Sequence, residues 1–406
     1  MPFEFRFRIF EAMLYAKEID TMNKRNVLIY RDLLLPSSET FVKTQAEGLK
    51  DFTPVFAGSY KIDNGLDLTP AEELFIMPKN SILNNRITGT SLKKVLLKRI
   101  LLPKIKKIKP VLMHAHFGPD GTLALPMAEA LKIPYVVTFH GYDVTTKDEH
   151  LRKSSSYNIQ NYTKEIHTLQ NSNALFIAAS EFIKKKLIQK GFPEKQILVH
   201  YIGVNLDLLK RDDTVSREDT ILFAGRLVKN KGCEYLIKAM KMVNEQKPHA
   251  KLIIAGDGPE RHALEELASQ LNVNIEFLGK IPYREVLHHM NKAKIFSVPS
   301  IEIETGASEG FGMVFAEAQA MGLPVASFET GGIPEAVSHN ETGLLCPPKD
   351  YEKLAENILF LLENQQMWEE FSKAGVVRVK DRFSLHEQNK KLEEIYESMI
   401  LQYKAR

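Results

Sequence analysis

Two series of short apolar runs, each alternating with longer helical patterns, constrain this chain more than any other feature. The first series is Val27–Tyr30, Pro54–Tyr60, Val111–His116, Tyr135–His140, Ala174–Ser180 and Ile197–Val204. The second is Ile221–Gly225, Lys251–Gly256, Ile275–Leu278, Ile295–Pro299, Val325–Phe328 and Gly343–Cys346. Strands that stay apolar on consecutive residues are covered on both faces, and strands separated by helices are parallel. The expected fold class is α/β, with two Rossmann-like doubly wound domains facing a central cleft. The polar stretch KRDDTVSREDT, Lys210 to Thr220, separates the series. It divides the chain into an N-terminal domain, 22–212, and a C-terminal domain, 213–383. FSLHEQNKKLEEIYESMILQYKAR reads as one amphipathic helix with Ser384 as its cap, and 384–406 is expected to pack back towards the first domain. Residues 1–21 lack an uninterrupted apolar stretch, make a poor signal peptide and read as an appendage.

Composition narrows the class further. The 406 residues suit two or three domains, and 44% hydrophobic with 26% charged residues suits a globular core. A formal net charge of +3 gives no reason to expect a nucleic-acid partner. Two cysteines, Cys233 and Cys346, make neither a disulfide framework nor a zinc cluster, and suit a reducing compartment. No apolar run approaches the length of a spanning helix. A cytoplasmic location follows as the expectation.

Ligands of open α/β sheets bind outside the carboxyl ends of the strands, and the notable residues fall there. In EGFGMVFAEAQAMG, Met313 to Met321 reads as a helix ending at Gly322. Gly310 and Gly312 stand at its start, with no Ser, Thr, Asp or Asn immediately before it to cap the first amides. Such an end is ready to bind an anion, and glycine lets a phosphate approach closely. Glu309 lies ahead of it and Glu317 about a turn further on. A phosphate between two carboxylates that accept from hydroxyls describes a nucleotide sugar, with Glu317 on the ribose and Glu309 on the transferred sugar. The plainer alternative is an acidic helix start that complements its own dipole.

In ILFAGRLVKNKGCEYLIKAM, Arg226 and Lys231 flank a loop between a strand and a helix. Two cations at that edge would neutralise a diphosphate; taken singly, each is as readily a solvated surface residue. No Asp-x-Asp pair and no His- or Cys-rich ligand spacing occurs, so no metal cofactor is expected. Gly256-Asp257-Gly258 partly matches a dinucleotide fingerprint, but Arg261 stands where the third glycine belongs. It reads as a tight strand-to-helix turn near the ligand.

From Met22 onward the chain resembles the retaining glycosyltransferases of the two-Rossmann-domain (GT-B) class, family four. EGFGMVFAEA matches the family's Glu-x7-Glu motif and FAGRLVKNKG its Gly-Arg-Leu…Lys-Gly motif; SFETGGIPEAV and NETGLLCPP extend the match. In the N-terminal half, LLPSSETFV, HAHFGPDG, TFHGYDV and VHYIGVNLDLL resemble colanic acid and exopolysaccharide enzymes. The resemblance implies a UDP- or GDP-linked sugar donor in the cleft and no metal requirement. It puts Glu309 on the donor sugar, Glu317 on the ribose, and Arg226 with Lys231 on the diphosphate. Amides near Gly310, Phe311, Gly312, Met313 and Val314 would contact sugar or phosphate, and the nucleobase would lie near Lys280 and Ile281. A histidine placed like His140 sits beside the reaction centre; alone, a histidine at a strand end is a structural hydrogen-bonder, the reading kept for His116 unless it lines the cleft. Many members carry Gly-Gly in the first loop, where this chain reads LLPSSETF. Ser38, Glu39 and Thr40 either face the acceptor or form a turn with Ser38 as N-cap. The family favours attack on the same face as the departing diphosphate over a covalent intermediate.

SLKKVLLKRILLPKIKKIKP, 91–110, holds eight Lys or Arg and no acid, with Pro103 dividing it. It suits an anionic membrane surface carrying a lipid-linked saccharide acceptor, or else a solvated helix over the sheet. A non-catalytic nucleotide-sugar-binding protein and a dinucleotide-dependent oxidoreductase are the alternatives to an enzyme of exopolysaccharide or cell-surface glycan synthesis.

Overall fold

The computed structural model describes residues 24–36, 39–62, 65–68, 73–78 and 94–405. Residues 1–21, Ser38 and 91–93 lie outside them. Eight parallel strands build the first sheet: β1 Arg25–Tyr30, β2 Leu33–Leu34, β3 Phe52–Lys61, β4 Glu73–Pro78, β5 Leu112–His116, β6 Tyr135–Phe139, β7 Leu175–Ala178 and β8 Ile197–Val199. Their order is β2-β3-β1-β5-β6-β7-β8, with β4 also on β3. The second sheet has β9 Thr220–Ala224, β10 Lys251–Ala255, β11 Ile275–Gly279, β12 Ile295–Phe296, β13 Val325–Phe328 and β14 Gly343–Cys346, in the order β11-β10-β9-β12-β13-β14. All its paired strands are parallel.

The continuous apolar runs are explained by burial on both faces. Along β1, Leu28 and Tyr30 enter one core while Val27 and Ile29 enter the other. β2 and β4 were not expected from the sequence; Leu33–Leu34 is two residues long and pairs only with the end of β3. Each sheet reverses its winding direction at one place, between β1 and β5 and between β9 and β12. These switch points open crevices at the carboxyl ends of the strands.

Two crossing segments join the domains. Val204 bridges Ser384 in parallel, with Val204 N donating to Phe383 O at 2.8 Å and Leu385 N to Val204 O at 2.9 Å. Ser384 stands at the start of the last helix, but its side chain makes no cap hydrogen bond; its backbone serves this crossing instead. That helix, Leu385–Lys404, lies on the first domain. Leu392, Tyr396 and Ile400, four residues apart, share one face and join Val27, Ile29 and Phe52 in the core. Glu393 accepts from Lys50 N and Asp51 N at 2.6 and 2.7 Å.

Candidate active site

The second domain contributes two loops from its switch point. After β9 the chain turns through Gly225 and Arg226 into a short helical turn, Lys229–Lys231. Gly232, at φ +63°, closes that turn, and a Cβ there would stand 1.9 Å from Pro299 O. Only glycine allows the approach. The approach carries Lys231 to Glu309, Nζ to Oε2 at 2.5 Å, and Ser300 Oγ lies 3.4 Å from the same oxygen. Gly256 and Gly258 pack against Gly225 O and Leu227 O, where a Cβ would come within 1.9 and 2.3 Å. Their turn therefore braces the Arg226 loop, and its packed backbone leaves no room to cradle a dinucleotide pyrophosphate.

The helix Met313–Ala320 starts at Gly312, φ +81°, with no side-chain cap. Phe315 N bonds to Gly312 O at 3.0 Å, while Met313 and Val314 precede it at the uncapped end. Glu317 is half-buried and accepts from the Tyr283 hydroxyl at 3.1 Å; burial pushes its carboxyl above the ordinary range. The preceding loop reaches the other domain: a Cβ on Gly310 would stand 2.2 Å from His140 O. The cleft is thus closed at the Glu309 loop.

The first domain meets that loop with an aromatic and histidine cluster. His116 ends β5 and His140 follows β6; the strand register sets His116 beside Thr138, two residues before His140. His116 Nδ1 and His140 Nε2 lie 3.0 Å apart, with the rings stacked at 5.2 Å. Phe41 and Phe117 flank His140 at 4.9 and 4.6 Å. His140 Nδ1 is buried without a partner among the described residues. Burial, the Arg31 cation and His114 hold His140 well below its usual range, so a neutral imidazole faces the cleft at neutral pH. His114 lies behind, bonded through its two ring nitrogens to Tyr396 and Thr138 at 2.6 Å.

Arg31, just past β1, underlies this wall. Its guanidinium pairs with Asp120 and makes a two-pronged bond to Glu39, at 2.7 and 2.6 Å. It also sits 4.4 Å from the centre of the Phe117 ring. Phe117 adopts φ +71°, a strained conformation for an aromatic residue. Asp120 satisfies Asp32 N and Asn158 Nδ2 at 2.7 and 2.9 Å.

The structure brings His140, Glu309, Lys231, Gly310 and Gly312 together. Arg226 is exposed and forms no ion pair among the described residues. Lys280 is exposed and Ile281 half-buried after Gly279 at the end of β11. The Phe311 side chain turns away to pack on Tyr201 and Phe383 at 5.4 and 5.0 Å, so only its backbone faces the loop. His116 lies behind His140. Glu39 stands at the N-cap position of the helix Thr40–Glu47 without capping it, because Arg31 holds its carboxylate; Thr40 is exposed. Arg31, Asp120, Tyr283 and Ser180 escaped the sequence reading. Arg31 alone left a signal, a cation directly after the first strand. No group of three His, Cys, Asp or Glu side chains gathers as a metal cage among the described residues.

Comparison with known proteins agrees with this architecture. Residues 208–377 match the profile of Glycosyl transferases group 1, and residues 70–208 that of Glycosyltransferase Family 4. The amylovoran biosynthesis glycosyltransferase of Erwinia amylovora is 29% identical over 317 residues, 77% of this chain and 76% of that protein. The putative colanic acid biosynthesis glycosyltransferase of Escherichia coli is 28% identical over 250 residues, 60% of this chain and 59% of that protein. Among solved structures, Anabaena HepE in complex with UDP and glucose superposes with a TM-score of 0.73 at 20% identity, covering 92% of this chain and 100% of that one. A family 4 profile followed by a group 1 profile, on two facing Rossmann-like sheets, gives the chain the domain arrangement and fold of the GT-B glycosyltransferases.

Proposed function

We propose that this glycosyltransferase moves a hexosyl unit from a UDP- or GDP-linked sugar to a saccharide acceptor, with retention and without a resident metal. The observation that carries the reading is the uncapped helix start at Gly312, set between Glu309 and Glu317 and facing His140. The diphosphate would take the Met313 and Val314 amides and compete with Glu309 for Lys231. Glu309, freed from Lys231, would then accept from sugar hydroxyls, and Glu317 from the ribose. Arg226, with no ion pair to break, is available to the departing diphosphate. His140 Nδ1, unpartnered and neutral, suits a hydrogen bond to the sugar. The acceptor hydroxyl would attack beside the leaving group, whose oxygen takes its proton, so the protein acts by charge stabilisation and positioning.

Thermal unfolding against a panel of UDP- and GDP-sugars in chelator tests the donor. A ligand bound only by the folded state raises Tm, by about 2.7 kcal/mol of stability at a hundred times its Kd. One sugar nucleotide is expected to give that rise, lost in Glu317→Ala. A panel that gives no rise overturns the donor assignment.

The acceptor is proposed to be lipid-linked and met at an anionic membrane. In the described part of 91–110, a π-helical turn Leu97–Leu101 runs into the helix Leu102–Ile108, with Pro103 in its first turn rather than at a break. Leu97, Leu101 and Ile105 face the core, while Lys98, Arg99, Lys104, Lys106 and Lys107 are exposed. Val95 and Ile100 are 48% and 37% exposed among them. That surface suits headgroups and shallow insertion. No helix among the described residues is long and apolar enough to cross a membrane. Each cation near an anionic leaflet contributes about 1 kcal/mol. Flotation on phosphatidylglycerol vesicles is expected for the protein and abolished when Lys98, Arg99, Lys106 and Lys107 become glutamate; equal flotation of both would exclude this surface.

A further inference from the structure

The helix Glu181–Gln189 of the first domain starts at the cleft wall, and its own sequence caps only part of its end. Ser180 Oγ accepts from Ile183 N at 3.1 Å. The two preceding amides, Glu181 N and Phe182 N, donate instead to Glu335 of the second domain, at 2.7 Å to Oε2 and 2.8 Å to Oε1. The Tyr201 hydroxyl, on the segment that crosses between domains, donates to the same Oε2 at 3.0 Å. A carboxylate at a helix N-terminus meets both free N–H donors and the positive end of the helix dipole. Here the carboxylate comes from the opposite wall of the cleft.

The latch is continuous with the loop that carries Glu309. Ser180 Oγ also donates to Gly310 O at 2.6 Å. Gly332 N donates to Glu309 O at 2.9 Å, and a Cβ at Gly331 or Gly332 would stand 2.3 Å from Glu309 O or 2.1 Å from Gly310 O. The turn that begins the short helix Ile333–Ala336, and so aims Glu335, is therefore moulded on the Glu309–Gly310 peptide. Arg378 fixes the other side, donating from Nη2 to Glu335 O at 2.8 Å.

We propose that Glu335 is the latch that holds the two domains closed and seats the Glu309 loop against His140, a positioning residue for sugar transfer. Opening would leave two helix amides and one carboxylate to water, which satisfies all three, so the latch holds without locking. A cleft that must admit a donor and release a nucleotide needs a contact of that kind. The kinetic consequence rests on the function proposed above; the structural one does not.

The test compares Glu335→Ala, Glu335→Gln and Tyr201→Phe with the parent by amide hydrogen exchange and small-angle scattering, with sugar-transfer kinetics beside them. Glu335→Ala is expected to speed exchange of the Glu181 and Phe182 amides roughly tenfold or more and to enlarge the radius of gyration. Donor KM should rise by a similar factor with kcat at saturation nearly unchanged, because the donor binds the closed fraction. Glu335→Gln, which keeps one acceptor oxygen, should fall between. Tyr201→Phe, which removes one O–H and no cap, should move the same readouts less. A lowered Tm with unchanged exchange, radius and KM would mean an ordinary structural contact and overturn the proposal. If the chain transfers no sugar from any donor tried, exchange and scattering still decide the latch by themselves.

Discussion

Glu309→Gln is expected to lower turnover by about two to three orders of magnitude, the loss that follows removal of one preorganised charge contact at a reacting centre. Lys231→Ala should cost a similar factor. Their carboxylate and ammonium lie 2.5 Å apart, with the side chains only 12% and 20% exposed, so each holds the other in place. Removing either one leaves its partner's charge partly desolvated and uncompensated, which adds a stability loss. The double variant should therefore cost far less than the product of the two single losses. The cycle is measured as kcat and KM for sugar transfer from the donor that the thermal panel selects, with Tm recorded for each variant. Two single losses below about threefold would show that the pair is a surface contact beside the site and that the donor is held elsewhere; large losses that multiply would show two independent contacts to the donor instead of one coupled pair.

How much of this was readable beforehand differs between the two halves of the cleft. The second domain's contribution is written locally. Glu309, Gly310, Gly312 and Glu317 lie within nine residues, and the uncapped helix start among them is a property of the sequence alone. Strand positions were readable for a similar reason, since burial on both faces leaves continuous apolar runs such as Val325–Phe328. The first domain's wall is assembled from distant pieces. Arg31 meets Asp120 and His116 from different strand exits, and nothing in the text near Arg31 names its partners. Glu39 was readable as a turn residue beside the helix Thr40–Glu47, but its attachment to Arg31 depends on how the loop folds back over β1. Glu335 is the extreme case, because it caps a helix 154 residues away in sequence. β2 and β4 were missed because each exists only through its pairing with β3.

Mild acid should destabilise the first domain more than the second. His114, His116 and His200 are 1%, 1% and 5% exposed, all in the first domain or on its last strand's exit. Burial, reinforced by neighbouring histidines, holds His114 down to about 3 and His116 well below its usual range; burial holds His200 down to about 4. The unfolded values lie near 6.5, so over the interval between, the unfolded chain binds protons that the native chain does not. Stability is therefore complete above about pH 6.5 and falls as pH drops, by about 1.4 kcal/mol per unit for each imidazole. Three together would give about 4 kcal/mol per unit on their own, before the buried carboxyls are set against them. Glu317, Asp120, Asp143 and Glu393, raised by burial, act with the opposite sign and hold stability that is lost as pH rises through their folded values. Asp120 and Asp143 in the first domain, with Glu393 on the helix packed against it, offset part of what the four depressed imidazoles, His140 included, contribute. Glu317 belongs to the second domain, which has no comparable buried imidazole. Calorimetry from pH 7.5 to 5 is expected to split one endotherm into two, the lower one falling with pH and the upper one nearly fixed. His200→Gln keeps a donor for Gln388 O, which now accepts from His200 at 2.8 Å, and should flatten the falling branch by one imidazole's share, about 1.4 kcal/mol per pH unit. A first-domain transition that stays level down to pH 5 would mean that the buried imidazoles are protonated in the native state, and the neutral His140 assigned to the cleft would go with them.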